Sequence, residues 1–138
     1  MLKITLQNLQ EKVPVGPLRI KKSVMRILKK ESGFSDGHIN IVFAGESLLR
    51  NLNKKFHKDN RATDVLAFDL SLQKDKPNWE IVISCDTAVR NSSEFKTSTS
   101  YELNLYAIHG ILHLLGYDDG TIAKAKTMRR KELEYVHT

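Results

Sequence analysis

The chain has 138 residues, 41% hydrophobic and 28% charged, with 22 Lys plus Arg against 16 Asp plus Glu and a net charge of +6. That length accommodates one core, and the composition excludes disordered, collagenous and coiled-coil classes, so a single domain over 1–138 is expected. The only cysteine, Cys85, lies in an apolar run, which excludes an internal disulfide and points to a buried thiol in a reducing compartment.

The opening MLKITLQN alternates apolar and polar residues, as a strand does and a signal peptide does not, predicting a strand over 2–7. Pro14 and Pro17 bracket a turn; Ile20, Val24, Ile27 and Leu28 then recur at helical spacing, predicting a helix over 18–31 that stops near Gly33. Ile39, Ile41 and Phe43 alternate with Asn40 and Val42 in a second strand. Residues 46–56 read as a helix with Leu48, Leu49, Leu52 and Phe56 on one side. Residues 65–70 and 79–85 read as strands joined through the polar segment SLQKDKPN, the pattern of a hairpin. Helices follow. The expected fold is α/β (α+β), with helices packed on a small mixed sheet whose strand order the pattern does not specify. No apolar segment approaches the roughly 20 residues that cross a bilayer, so a soluble, cytoplasmic protein with no membrane partner is expected.

The chemistry concentrates in TSYELNLYAIHGILHLLGYDDG. Thr99 with Glu102 has capping-box spacing, so a helix should begin near residue 100. Leu103, Ala107, Gly110 and Leu114 form one apolar or small stripe and Leu105, Ile108, Leu112 and Leu115 another, which predicts a central buried helix. His109 and His113 stand one turn apart on the same side of it. Gly116 permits a sharp exit that carries Asp118 and Asp119 back toward the histidines. Two imidazoles and a carboxylate suit Zn²⁺ with a fourth position left for water, which puts a metal site at the end of this helix. Asp118 rivals Asp119 as the third ligand; its other possible roles are to cap the following helix or to orient a ligand histidine.

Positive charge gathers at Arg19/Lys21/Lys22/Arg26/Lys29/Lys30, at Lys54/Lys55/Lys58/Arg61 and at Lys124/Lys126/Arg129/Arg130/Lys131, which suits a polyanion if those faces are open.

HGILHLLGYDD strongly resembles the motif of the YbeY family of bacterial rRNA maturation factors, His-Gly-x-Leu-His-Leu-x-Gly-Tyr-Asp-His. LNKKF, TDVLAFDL and EIVIS extend the resemblance upstream, densely over the central and C-terminal two thirds of the chain. It implies a zinc-hydrolase type of α/β fold and a metal-dependent, single-strand-specific endoribonuclease. It further implies that this enzyme acts with the small ribosomal subunit on single-stranded rRNA, in maturation of the 16S rRNA 3′ end and in ribosome quality control. His109 and His113 match the first two zinc ligands of the motif, and Asp119 stands where its third His would be. A carboxylate there makes the site more negative and weakens the Lewis acidity of one bound Zn²⁺. Where the family carries a phosphate-holding Arg this chain has His57, and Arg61, in the same loop, could supply the guanidinium.

The resulting expectation has Arg61, His57 and Asp118 in catalysis and Lys54, Lys55, Lys58 and Arg61 along the RNA. The attacking group is either a metal hydroxide or the RNA 2′-hydroxyl. A zinc protease is the rival enzyme class, but it needs a Glu directly after the first His, where Gly110 stands. A non-catalytic, ribosome-associated RNA-binding factor with a structural zinc is the other alternative.

Overall fold

The computed structural model describes residues 1–57 and 63–137. The alternating first segment forms β1 (Leu2–Asn8), and Pro17, whose missing N–H costs nothing in a first helical turn, opens α1 (Pro17–Glu31). That helix ends at Glu31, as expected, and Ser32 caps it, its Oγ donating to Leu28 O at 2.6 Å. Next come β2 (Gly37–Ala44), α2 (Glu46–His57), β3 (Val65–Asp69) and β4 (Asn78–Ser84), as the periodicity predicts. Cys85, expected at the end of a strand, instead begins α3 (Cys85–Phe95), because Ser84 accepts a hydrogen bond from Thr87 N at 3.2 Å and caps a helix. The thiol is buried all the same, and burial followed by the charge of Asp86 pushes its pKa up to about 11. α4 (Thr99–Leu114) and α5 (Ile122–Val136) complete the order. No helix among the described residues is long and apolar enough to cross a membrane.

The sheet order is β1-β2-β4-β3. β1, β2 and β4 run parallel, while β3 is antiparallel to β4, so both the expected hairpin and the mixed sheet are present. Ile39, Ile41, Phe43, Ile81 and Ile83 enter the main core on one face; Val42, Ala44, Val82 and Leu66 pack with Leu49 of α2 on the other. Helices covering both faces explain why β2 is apolar almost throughout.

α4 packs against α1, α3, α5, β3 and β4, and its Leu103, Ala107, Ile108, Ile111 and Leu112 are fully buried. Gly110 permits the close approach to the sheet: a Cβ there would lie 3.1 Å from Ile81 Cγ2. The expected capping box does not form. The cap is Ser98, accepting from Tyr101 N at 3.0 Å, which moves Glu102 one position too far along to reach back. Glu102 turns inward instead and accepts from Thr97 Oγ1 at 2.8 Å and Tyr106 OH at 3.4 Å, as a buried carboxylate requires.

Candidate active site

His109 and His113 lie on consecutive turns of α4 with parallel rings, interplanar angle 7° and centroids 6.5 Å apart. The helix then closes as the glycine predicts. Gly116, at φ 107°, donates its N–H to His113 O at 3.0 Å, and Tyr117 N donates to Leu112 O at 3.1 Å. This paired closure satisfies the last carbonyls and reverses the chain. Beyond it the two acids separate. Asp118 Oδ1 accepts from Gly120 N at 3.0 Å and Oδ2 stands 3.6 Å from Lys124 Nζ; the Gly120 N–H and then the lysine hold this carboxyl below the ordinary range. Asp118 thus ties the turn, while Thr121 caps α5 by accepting from Lys124 N.

Asp119 lines a cavity of about 280 Å³ with His109, Gly110 and His113, together with Asn53 and His57 of α2 and Val65, Leu66 and Ala67 of β3. The fold therefore gathers His57, His109, His113 and Asp119 around one space, and leaves Asp118 outside its lining. His57 belongs to the last turn of α2, not to the loop after it, and its ring stacks on Phe68 at 6.0 Å. Lys54 and Lys55 are exposed on that same turn. Lys58 and Arg61 lie outside the described residues. The basic cluster of α5 is less open than its composition suggests. Lys124 pairs with Asp118, Arg129 with Glu132 at 3.4 Å and Lys131 with Glu31 at 3.0 Å.

One important residue escaped the sequence reading. Glu132 of α5 is 8% exposed, and its Oε2 lies 2.6 Å from His109 Nδ1. A carboxylate only accepts, so Nδ1 carries a proton, and when the ring is neutral its lone pair lies on Nε2. The hydrogen bond to Glu132 raises the His109 pKa, burial opposes it, and the carboxylates of Glu132, Asp64 and Asp119 add to the rise. Available in the sequence was the spacing of Glu132 with Met128, Tyr135 and Val136, which puts an acid on the buried stripe of α5. Glu132→Gln is expected to lower the His109 pKa, read by NMR titration of the imidazole in metal-free protein; an unchanged titration would mean that the contact does not hold in solution.

The donor set is chemically suited to Zn²⁺: two imidazoles, one of them oriented by a carboxylate, and an acid lining the same cavity. Among the described residues, however, no three His, Cys, Asp or Glu side chains stand in a group that could hold an ion as placed. The two rings stand parallel with centroids 6.5 Å apart, whereas two imidazoles on one tetrahedral zinc have centres about 5 Å apart and ring axes that converge.

The family model described as Endoribonuclease YbeY matches residues 5–138. The chain belongs to the Endoribonuclease YbeY family. A YbeY relative from Desulforamulus reducens is 34% identical over 140 residues, covering 94% of this chain and 92% of its own. Another, from Nautilia profundicola, is 39% identical over 102 residues, covering 74% and 72%. The solution structure of TM1509 from Thermotoga maritima superposes with a TM-score of 0.64 at 32% identity, over 99% of this chain and 87% of that one. Both the YbeY resemblance of HGILHLLGYDD and the α/β fold it implied are thereby borne out.

Proposed function

We propose that this chain is a metal-dependent, single-strand-specific endoribonuclease that acts in rRNA processing, at the 16S 3′ end on the small ribosomal subunit. The observation that carries the reading is the convergence of His57, His109, His113 and Asp119 on one cavity at the end of α4, in a chain of the YbeY family. Zn²⁺ is the proposed cofactor, with His109, His113 and Asp119 as its ligands, and when bound it supplies Lewis acidity toward a phosphoryl oxygen. Glu132 keeps the His109 lone pair on Nε2 and fixes the ring. His57 is assigned to give or take a proton at the scissile phosphate. Arg61 is assigned to offset charge on the phosphoryl oxygens, and Lys54, Lys55 and Lys58 to neutralise flanking phosphates. Asp118 fixes the turn that presents Asp119, a more remote part than the catalytic one expected of it. Gly110 argues against peptide hydrolysis: it has no side chain to act as base, and its packing on Ile81 leaves no room for one.

The test is binding and single-turnover cleavage of a single-stranded RNA of the 16S 3′ region by metal-loaded protein, with a duplex of the same sequence as control. Affinity should fall with salt by about 0.7 log units per decade for each phosphate neutralised, and replacing Lys54 and Lys55 together should make the slope shallower. Arg61→Ala should slow cleavage more than it weakens binding, because its contact strengthens as charge develops. Wild-type protein that binds the RNA but does not cut it, even with ribosomal subunits present, would make the chain a non-catalytic RNA-binding factor.

A further inference from the structure

The cavity that holds the two histidines wraps a free sheet edge. β3 is last in the sheet order and, among the described residues, pairs with β4 alone. Successive strand side chains point to opposite faces, so three consecutive residues line one cavity only where it straddles the edge of the strand. Val65, Leu66 and Ala67 do so, with Leu66 packed toward α2 and Val65 and Ala67 toward the main core that contains α4.

The hydrogen-bond ladder determines which backbone groups look into that space. Ser84 N donates to Asp64 O at 2.9 Å and Leu70 N to Asn78 O at 2.8 Å. Bonded and non-bonded pairs alternate along an antiparallel ladder, so Asp64, Leu66, Phe68 and Leu70 face β4. The N–H and C=O groups of Val65 and Ala67 therefore face the free edge. Among the described residues nothing pairs with them there. Half-buried backbone groups in that position take either water or a ligand.

We propose that the free edge of β3 holds the backbone of the RNA strand, with the Val65 and Ala67 N–H groups donating to phosphate oxygens beside the histidine pair. This rests on the endoribonuclease reading. The two donors are about 6.8 Å apart along the edge, close to the separation of consecutive phosphates in an extended single strand. Backbone amides fixed by a ladder are pre-organised donors, strongest toward an anion. An extended peptide could occupy the same edge by strand addition, but the net charge of +6 and the exposed Lys54 and Lys55 on the helical turn that carries His57 favour a polyanion.

Ala67→Pro removes one edge N–H and no ladder bond, a change that edge strands accept. If that variant does not fold, replacing Ala67 by lactic acid turns the amide into an ester and removes the same hydrogen with the shape kept. The matched ester at Asp69, on the same edge but outside the cavity lining, is the control. Affinity is measured for a single-stranded RNA carrying one neutral methylphosphonate at each linkage in turn. The Ala67 change should weaken binding about tenfold and the Asp69 change should not. In the wild type two consecutive linkages should each lose about tenfold on neutralisation, and in the Ala67 variants one of the two should become insensitive while the other keeps its loss, as a coupled pair requires. Normal binding by both Ala67 variants, or a methylphosphonate profile unchanged by them, overturns the edge contact and leaves the nuclease reading standing. Failure of the wild type to bind single-stranded RNA overturns both. Capture of an extended peptide that the Ala67 change abolishes, with RNA binding unaffected, reassigns the edge to strand addition.

Discussion

Replacing His113 by alanine is expected to strip the metal and reduce cleavage by about 10³-fold or more, while leaving the protein folded. A bound ion contributes several kcal/mol of charge stabilisation in the transition state, and each 1.36 kcal/mol is a factor of ten in rate. The fold should survive because His113 is exposed and alanine is the better helix former. His109→Ala is a poorer probe. It would leave Glu132, 8% exposed, without its hydrogen-bonded imidazole, and so would mix loss of the ion with loss of stability. Elemental analysis of wild type and H113A, with unfolding curves of both metal-free proteins, separates the two effects. Equal metal content in the two would remove the proposed ligand set.

The parts of this molecule that were legible in its sequence are those set by short-range pattern. Alternation in β1 and β2, the 3.6-residue period of α1 and α2, and the glycine exit at Gly116 each depend on neighbours within a turn or two of chain. The histidine pair was legible for the same reason, since i and i+4 on a helix face one way. Cys85 and Thr99 were misplaced by one position, because a serine just upstream, Ser84 or Ser98, won the cap in each case. Element boundaries turn on such single side-chain hydrogen bonds, which apolar periodicity does not register.

What was not legible involves distant residues. Glu132 meets His109 across 23 positions of sequence, and the place of β3 at the sheet edge depends on β4 inserting beside β2. Local composition likewise overstated the free charge of α5, because it cannot show that Lys124, Arg129 and Lys131 each face an acid. The YbeY resemblance supplied the family and fold correctly but said nothing of these contacts, since a motif names ligands and leaves out what orients them.

Glu31 makes a longer connection than Glu132, across 104 positions to Tyr135, and should have the largest effect on stability. At the end of α1, with its side chain 11% exposed, it accepts from Tyr117 OH at 2.6 Å, from Lys131 Nζ at 3.0 Å and from Tyr135 OH. Burial pushes this carboxyl up. The three hydrogen bonds and the charge of Lys131 outweigh burial and hold its pKa at about 2, against an ordinary 4.5. Because the folded-state pKa is the lower one, the ionised form stabilises the native protein. That contribution is complete above about pH 4.5 and is lost as pH falls through about 2, and a shift of this size corresponds to about 3 kcal/mol. Glu31→Gln, whose amide turns donors toward donors, is expected to cost about that much at pH 7 and almost nothing near pH 2. Denaturant unfolding of metal-free wild type and E31Q from pH 7 to pH 2 measures it; a difference that does not narrow below pH 4.5 would exclude the carboxylate as its source. The consequence reaches the site, because Tyr117 stands between Gly116 and Asp119. Ionised Glu31 thus ties the turn that presents the proposed third ligand to both α1 and α5.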